Sequence, residues 1–340
     1  MTSVSTPSIG VLGAGSWGTA LALLVARSGH HAVLWSAEPG HAERMRGDGV
    51  NEKYLPGLPL GPHIRPTEAL VELQDLRSFV VAVPSHAFRD VLRSLATLLS
   101  SVPSPIQICW GTKGFEPQSA LLLGDVANDI LDEKFSPAVV SGPSFAAEVA
   151  RGLPSALTVA ASTLPAADEI AGWFRDGRTR VYTSADMRGV QLGGAIKNVM
   201  AIAVGISDGL GFGANARAAL ITRGLGELAR LGQALGGQAE TFMGLTGLGD
   251  LILTCTDDQS RNRRVGLAIG RGDALKTALG SVGQEAEGVN TARELFRKSQ
   301  ALDIEMPISD QVYRVLFEKR DPREAVNTLL AREPRSEHPS

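Results

Sequence analysis

The sequence predicts an α/β fold in which a doubly wound parallel sheet in the N-terminal half is followed by an all-α domain. Three observations predict it: a glycine-rich turn near the N-terminus, short apolar runs that alternate with helical stretches as far as residue 188, and long helical patterns from Gly189 onward. Strands that alternate with helices are typical of parallel sheets. We predict a sheet domain over 1–188, a helical domain over 189–330 and a disordered polar tail over 331–340.

The composition excludes several classes of protein. The 340 residues are 44% hydrophobic, and 33 basic and 36 acidic residues leave a net charge of −3 without a basic block, which argues against nucleic acid as a partner. We expect no export signal, since the uncharged start lacks a positive region. We also expect no membrane insertion, since no run is long and apolar enough to span a bilayer. Cys109 and Cys255 lie among apolar neighbours, which indicates buried thiols, no metal site and a reducing, cytoplasmic compartment.

The first strand and turn carry the strongest local signal. Ile9–Leu12 is apolar, and Gly13, Gly15 and Gly18 follow with the G-x-G-x-x-G spacing. In that motif the first glycine permits the tight turn, the second lets the backbone approach a pyrophosphate, and the third packs the helix on the strand. A helix that starts near Ser16 would direct its N–H groups at the diphosphate, as in a Rossmann-like dinucleotide site. The alternative is an ordinary glycine-rich turn.

The second strand leaves the choice of dinucleotide open. Ala32–Trp35 reads as this strand, with Ser36 at its tip and Ala37 and Glu38 beyond the tip. NAD-specific proteins carry an acid at the strand tip and NADP-specific ones use an arginine nearby. Neither stands there, so both NAD and NADP remain open.

Further strands follow a segment, residues 39–66, that reads as a helix and an irregular proline-rich loop. We predict strands at 79–83, 106–110, 138–141, 157–160 and 180–183. Ligands of such sheets lie beyond the carboxyl ends of the strands. Lys113 and Ser144 stand there: the lysine can place a positive charge and the serine can cap a helix. The alternatives are a lysine in water and a plain N-cap.

The second half contains an apolar helix, residues 190–204, with a single lysine, Lys197. Gly193 and Gly194 lie four residues before Lys197 and Asn198, so something must pack closely on that face, either another helix or a cofactor or substrate. A lysine in this run is partly desolvated, which lowers its pKa and suits it to proton transfer. A lysine that reaches the surface or pairs with a carboxylate is the alternative.

Two further segments carry candidate site residues. Asp250 follows a glycine pair and can be a helix N-cap or can hold the ammonium of Lys197. Ser260 is predicted to cap a helix whose first turn is basic, although acidic residues complement the dipole there. We therefore expect Arg261, Asn262 and the helix N–H groups to form a pocket for a phosphate or carboxylate.

Taken together, these segments resemble the bacterial NAD(P)-dependent glycerol-3-phosphate dehydrogenases, from the glycine turn to about residue 330. Eight segments carry the resemblance, in the same order along the chain, and they are residues 13–20, 83–86, 112–114, 141–146, 191–198, 211–217, 247–250 and 260–262.

The resemblance implies roles for individual residues. Lys197 matches the catalytic lysine, which exchanges a proton with the substrate oxygen, and Asp250 would orient it. The positions that match substrate-site residues are Lys113, Gly142, Ser144, Asp250, Ser260, Arg261 and Asn262. The positions that match cofactor contacts, with the motif glycines Gly13, Gly15 and Gly18, are Ser16, Trp17, Lys113, Ala146, Arg261 and Glu287.

The implied activity is reversible hydride transfer between NAD or NADP and carbon 2 of glycerol 3-phosphate or dihydroxyacetone phosphate, which supplies glycerol 3-phosphate for phospholipid synthesis. The apolar runs of the helical half also lead us to expect a homodimer. Ala37 stands where relatives often carry Arg or His, and Glu285 and Ala286 replace a usual apolar pair before Glu287. A reductase of 2-ketoacids or hydroxyacids would not need the Ser260–Asn262 pocket, and a dinucleotide-sensing protein would not need Lys197 and Asp250.

Overall fold

A computed structural model describes residues 8–332. The chain divides into two compact units. Unit 1 comprises the described residues up to Gly194 together with Gly232–Asp250, and unit 2 comprises Ala195–Leu231 and the described residues from Leu251 onward. The domain boundary that we place at residue 188 stays a prediction. Of the predicted disordered tail, residues 331 and 332 follow the last helix as a turn and a bend, and 333–340 lie outside the described residues.

Unit 1 is built on an eight-stranded sheet and a separate two-stranded hairpin. The strands are β1 Ser8–Leu12, β2 His31–Trp35, β3 Val50–Asn51, β4 Leu55–Pro59, β5 Ile64–Thr67, β6 Ser78–Val81, β7 Ile106–Trp110, β8 Phe135–Ser141, β9 Ser155–Ala161 and β10 Thr179–Ser184. The order in the large sheet is β10-β9-β8-β7-β6-β1-β2-β5. This is a doubly wound arrangement, with β1 at the point where the order reverses.

All seven predicted strands are present, but the sheet is not entirely parallel. Strand β9 pairs antiparallel with β8 and parallel with β10, so β9 and β10 run against the other six strands. The expectation of a purely parallel sheet is therefore wrong for this edge. A buried strand reads as the same apolar run in either direction, so the sequence pattern does not indicate its orientation.

The segment 39–66 contains more structure than the loop that we predicted. Its helix is present as α2, His41–Asp48, but β3 and β4 form a hairpin after it and β5 joins the sheet beside β2. Pro66 lies within β5. Proline lacks the N–H that a central strand needs, and β5 tolerates it because β5 is the edge strand of the sheet.

Helices cover the sheet and make up unit 2. They are α1 Ser16–Arg27, α2 His41–Asp48, α3 Phe88–Leu98, α4 Leu123–Asn128, α5 Ala146–Ala150, α6 Leu164–Ala171, α7 Met187–Gly209, α8 Gly213–Ala234, α9 Ala239–Met243, α10 Asp250–Thr256, α11 Arg261–Gly270, α12 Leu275–Val282, α13 Glu287–Ala301, α14 Pro307–Phe317 and α15 Pro322–Leu330. A π-helical turn, Leu245–Gly249, leads into α10. In the described part of the chain no strand follows β10, which confirms the helical second half.

The core of unit 1 lies on both faces of the sheet. Successive side chains of a strand point to opposite faces. Val80 of β6 accordingly packs in a cluster with residues of α1, whereas its neighbours Phe79 and Val81 pack in a second cluster with residues of α3. The sheet is thus covered on both sides, as its apolar strands require.

Helix α7 corrects one expectation. Its 23 residues are long and apolar enough for a membrane span, which we did not expect of any run in the sequence. However, 94% of its apolar window is buried inside the protein. This is the burial of a core helix, and it explains why the helix contains a long apolar window.

A buried glutamate fastens two helices of unit 2. Glu227 of α8 is 2% exposed, and its carboxylate accepts the backbone N–H groups of Ile308 and Ser309 at 2.5 and 3.1 Å and the Ser309 hydroxyl at 2.9 Å. It therefore caps the first turn of α14. Burial raises the pKa of Glu227 to about 7, against the opposing effect of these hydrogen bonds.

We expect the free energy of unfolding to depend on pH because of the Glu227 carboxyl group. Its folded pKa lies above the ordinary value of 4.5, so the stability it contributes is complete below pH 4.5 and is lost as the pH rises through 7. Relative to Glu227→Gln, which does not titrate, the wild type should lose roughly 3 kcal/mol between pH 4.5 and 8. Urea unfolding of both proteins across this range measures the difference, and a difference independent of pH would contradict the prediction.

Candidate active site

The three glycines after β1 have different surroundings. Gly13 has a φ of +110°, and a methyl group on it would lie 2.8 Å from the backbone of Ala82. A methyl group on Gly18 would lie 1.8 Å from the carbonyl oxygen of Gly13, whereas one on Gly15 would meet no atom within 4 Å. Packing therefore requires the first and third glycines. The second faces open space, as it must if a pyrophosphate is to approach the backbone there.

The N-terminus of α1 faces the same space. Gly15 is its N-cap and has no side chain to satisfy the first N–H groups, and the first turn contains no acidic residue. The hydroxyl of Ser16 donates to the carbonyl oxygen of Tyr54 at 2.6 Å. Uncapped N–H groups and the helix dipole make this helix start fit the diphosphate of a dinucleotide.

Trp17 packs on the end of β7. A methyl group on Gly111 would lie 2.5 Å from its Nε1, and this buried nitrogen has no hydrogen-bond partner in the described structure. Indole nitrogens usually find a partner when buried. The contact of Trp17 with a cofactor stays a prediction.

A buried network at the tip of β2 was missed by sequence reasoning. His41 contacts the Ser36 hydroxyl through Nδ1 at 2.9 Å and Asn51 Oδ1 through Nε2 at 3.0 Å, and Asn51 Nδ2 donates to the Ala14 carbonyl at 2.8 Å. Because Asn51 Oδ1 can only accept, Nε2 of His41 carries a hydrogen. The network ties the strand tip to the glycine turn. Its most distant members, Ala14 and Asn51, are 37 residues apart, so no local pattern reveals the network.

Glu38 supplies an acid two residues beyond the predicted tip position. Its carboxylate accepts from Lys53 at 2.7 Å, from Arg44 at 3.1 Å and from the Tyr54 hydroxyl at 3.1 Å. The hydrogen bond from Lys53 is the main cause that lowers the pKa of Glu38. A ribose hydroxyl would have to compete with these donors, so the choice between NAD and NADP is still open.

Lys113 forms an ion pair with Asp250. Its Nζ donates to Asp250 Oδ2 at 2.7 Å and to the Gly142 carbonyl at 3.4 Å, and the side chains are 17% and 1% exposed. The N-cap alternative for Asp250 is wrong, because the π-helical turn runs directly into α10 and gives Asp250 a helical conformation. That Asp250 orients Lys197 stays a prediction.

The turn after β8 places Gly142 and Ser144. Gly142 has a φ of +134°, and a methyl group on it would lie 3.0 Å from the Ala156 carbonyl oxygen. The Ser144 hydroxyl donates to the Gly142 carbonyl at 2.9 Å. The suggestion that Ser144 caps a helix is wrong: α5 begins at Ala146, and its N-cap is Phe145. The sequence indicates the turn, but it does not indicate that the helix starts two residues later.

The glycine pair of α7 packs on protein. A methyl group on Gly193 would lie 2.3 Å from the carbonyl oxygen of Thr246, in the π-helical turn. One on Gly194 would lie 2.9 Å from the hydroxyl of Ser141 and 3.5 Å from the side chain of Lys113. Of the two explanations for these glycines, close packing against another backbone is therefore the one that holds at Gly193.

Lys197 is buried in unit 2. It is 6% exposed, and its Nζ donates to the hydroxyl of Thr254, itself 4% exposed, at 2.9 Å. This excludes a lysine that reaches the surface. Thr254 was not among the predicted site residues. Its position one turn after Asp250 on α10 was the available signal, because residues four apart share a helix face.

The start of α11 confirms one prediction and changes another. Ser260 caps the helix by accepting the N–H of Arg263 at 3.2 Å. Arg263 forms ion pairs with Asp208 and with Asp258, the latter at 3.0 Å. The basic first turn is therefore explained in part by structural ion pairs, contrary to our expectation. Arg264 is exposed, so Arg261 is the cation of this turn that we expect a bound anion to contact.

Arg261, Asn262 and Glu287 come together in unit 2. Arg261 donates to Gln284 Oε1 at 3.4 Å, and burial is the main cause that lowers its pKa, while Glu287 opposes the shift. Asn262 Oδ1 accepts the N–H of Gly288 at 2.9 Å, in the first turn of α13, which begins at Glu287. A desolvated guanidinium beside an amide is suited to hold a phosphate.

The predicted site residues are divided between the two units. Unit 1 contains Gly13, Gly15, Ser16, Trp17, Gly18, Lys113, Gly142, Ser144, Ala146 and Asp250, and unit 2 contains Lys197, Ser260, Arg261, Asn262 and Glu287. Over residues 8–332 no group of three or more His, Cys, Asp or Glu side chains could hold a metal ion. Cys109 and Cys255 are both buried, and burial raises the pKa of the Cys109 thiol.

Two family profiles match the chain. The profile described as NAD-dependent glycerol-3-phosphate dehydrogenase N-terminus matches residues 8–167. The profile described as NAD-dependent glycerol-3-phosphate dehydrogenase C-terminus matches residues 186–327. Together they cover most of the sequence.

Individual relatives agree with these profiles. The chain is 53% identical to glycerol-3-phosphate dehydrogenase [NAD(P)+] of Thioalkalivibrio sulfidiphilus over 98% of this chain and 100% of that protein. It is 49% identical to the enzyme of the same name from Vibrio vulnificus, over 97% of this chain and 95% of that one. The solved glycerol-3-phosphate dehydrogenase of Coxiella burnetii superposes with a TM-score of 0.92 at 45% identity, over 96% and 99% of the two chains.

Distant structures share the fold alone. A ketopantoate reductase from Ralstonia eutropha has a TM-score of 0.56 at 15% identity, over 94% of this chain and 99% of that one. Similarity at this level does not carry a substrate from one protein to the other.

Substitution of the motif glycines should separate folding from binding. Gly18→Ala forces a methyl group onto the Gly13 carbonyl and should destabilise the protein by about 1–3 kcal/mol. Gly15→Ala should fold normally, since the φ of −72° suits alanine, but should weaken NADH binding roughly 10-fold to 100-fold. Thermal unfolding and NADH titration measure the two effects. Equal NADH affinity for Gly15→Ala and wild type would contradict the assignment of the open space to the diphosphate.

Proposed function

The chain belongs to the NAD-dependent glycerol-3-phosphate dehydrogenase family, and on that premise we propose which of its residues carry out the reaction. The protein is an NAD(P)-dependent oxidoreductase that acts on a CH–OH group and interconverts glycerol 3-phosphate and dihydroxyacetone phosphate. The observation that carries our assignment is the buried Lys197, whose ammonium is held by Thr254.

The dinucleotide is bound by the glycine turn. Gly13, Gly15 and Gly18 shape the turn, and the N–H groups of α1 with Ser16 hold the diphosphate. Trp17, Lys113, Ala146, Arg261 and Glu287 are the further residues that we assign to cofactor contacts. The nicotinamide, when bound, supplies or accepts the hydride, so the chain's own task is alignment and the handling of one proton.

Lys197 is the proton donor to the substrate oxygen when dihydroxyacetone phosphate is reduced, and it takes the proton back in the reverse direction. A buried ammonium is a strong donor toward an oxygen on which negative charge develops. Thr254 supports this role because its hydroxyl accepts from Nζ and fixes one of the three N–H directions.

Asp250 and Lys113 act as a pair. The carboxylate is nearly inaccessible and holds Nζ of Lys113 at 2.7 Å, which directs the lysine toward the Gly142 carbonyl. We propose that Lys113, with Gly142 and Ser144, contacts the substrate, and that Asp250 supplies the negative charge that keeps both Lys113 and Lys197 oriented.

The phosphate of the substrate is held at the start of α11. Arg261 supplies the charge, the amide nitrogen of Asn262 supplies a donor since its oxygen is engaged by Gly288, and the capped helix start at Ser260 adds its dipole. A phosphate site distinguishes this enzyme from a reductase of unphosphorylated ketoacids.

The setting of the enzyme follows from its substrate. We propose that the enzyme is cytoplasmic and that its glycerol 3-phosphate is used in glycerophospholipid synthesis.

We also propose that two copies of the chain form a homodimer through unit 2. The apolar runs of the helical half support the dimer. Sedimentation velocity measures whether one or two chains form the particle, and a monomer at micromolar concentration would overturn the dimer.

Lys197→Met should remove the transferable proton while keeping the length and apolar stem of the side chain. We expect the turnover number with dihydroxyacetone phosphate to fall roughly 10²-fold to 10⁴-fold, with the dissociation constant of NADH nearly unchanged. Lys276→Met, at an exposed lysine of α12, is the control. Retention of most of the activity by Lys197→Met would defeat the assignment.

Arg261→Ala should weaken phosphate binding. Loss of a hydrogen bond to a charged group corresponds to about 1.5–3 kcal/mol, so the KM for dihydroxyacetone phosphate should rise roughly 10-fold to 100-fold. Arg264→Ala, at an exposed arginine of the same helical turn, is the matched control and should leave KM unchanged. An unaltered KM in Arg261→Ala would show that Arg261 serves only the cofactor or the fold.

A further inference from the structure

Lys113 lies in a loop that has no helix or strand of its own. The loop follows β7 and reaches α4 after residue 122, and only one isolated bridge, between Phe115 and Leu122, pairs its two arms. Gln118 and Ala120 have positive φ values of 74° and 55°, which are rare for residues with a side chain. Within the loop, backbone hydrogen bonds join the Glu116 N–H to the Leu121 carbonyl at 2.9 Å and the Ala120 N–H to the Glu116 carbonyl at 3.1 Å.

The loop is fastened on both sides of Lys113. Before it, the hydroxyl of Thr112 donates to the Val83 carbonyl, beyond the end of β6, at 2.7 Å. After it, Glu116 receives two parallel hydrogen bonds from Arg89, at 2.6 Å from Nε and 2.9 Å from Nη2. Arg89 is the second residue of α3, so both anchors connect the loop to the segment that follows β6.

The Arg89–Glu116 contact is stronger than an ordinary surface pair. The side chains are 22% and 14% exposed, and the two parallel bonds fix the guanidinium and carboxylate planes relative to each other. Ser119 also donates to Glu116, at 2.5 Å, and Arg89 reaches Asp129 at 3.3 Å. The hydrogen bond from Arg89 is the main cause that lowers the pKa of Glu116, so the carboxylate stays charged.

We propose that Arg89 is a positioning residue for Lys113: its bidentate contact with Glu116 fixes the loop so that Nζ of Lys113 meets Asp250 and the Gly142 carbonyl. The inference rests on the proposed function in one respect, namely that Lys113 contacts the substrate. Glu116 is three residues after Lys113. If its contact with Arg89 is lost, the loop is released there and Nζ of Lys113 can move by about 1 Å. Such a displacement can lower the rate about 10²-fold.

The test compares Arg89→Met, Arg89→Lys and wild type. Arg89→Met should lower kcat/KM for dihydroxyacetone phosphate roughly 10-fold to 100-fold, chiefly through kcat, with circular dichroism and the dissociation constant of NADH close to wild type. Arg89→Lys restores the charge without the fork and should recover only part of the loss. Arg93→Ala, one turn later at a side chain that is 60% exposed, should match wild type.

A double-mutant cycle shows whether Arg89 acts through Lys113. In a Lys113→Met background, Arg89→Met should cause no further loss of kcat/KM, whereas a merely structural effect would add to it. Additive losses, or wild-type kcat/KM in Arg89→Met, would overturn the proposal. If Lys113→Met itself retains wild-type kinetics, the role of Lys113 in the proposed function fails instead, so the two failures are distinguishable. Glu116→Gln, which keeps the shape and removes the charge, repeats the test from the other partner and should reproduce the direction of Arg89→Met.

Discussion

The buried ion pair between Lys113 and Asp250 joins the loop after β7 to the start of α10. Asp250 is 1% exposed, and a buried carboxylate left without its partner typically costs about 3–5 kcal/mol. The two residues are 137 positions apart in the sequence, so the pair forms only when the loop after β7 and the start of α10 are both in place. Further contacts hold each of the two residues in place.

On the Asp250 side, the support is backbone packing. Gly193 of α7 admits the carbonyl of Thr246, which sets the π-helical turn that leads into Asp250. On the Lys113 side, the supports are the Thr112 hydroxyl and the Arg89–Glu116 contact. A glycine in an apolar helix and an arginine at the start of a surface helix thus serve the same ion pair. This is the pattern expected where a buried charge must be held in one geometry.

The charged side chains buried in unit 2 are also held by polar partners, and the kind of partner differs among them. The ammonium of Lys197 has a threonine hydroxyl, the guanidinium of Arg263 has two carboxylates, and the carboxylate of Glu227 has the first turn of α14. Each of these contacts satisfies a group that would otherwise be costly to bury.

The sequence by itself determined the elements whose cause is local. The glycine spacing predicted the turn and the start of α1, apolar runs predicted seven strands of the large sheet, and Ser260 predicted the start of α11, because each depends on a few consecutive residues. Tertiary structure alone decided the direction of β9 and β10, the strand that accommodates Pro66, the partners of Lys113 and Arg263, and the place of Thr254 and His41. These depend on side chains that meet across long stretches of chain, and neither spacing nor hydropathy records which distant partner a polar group will find.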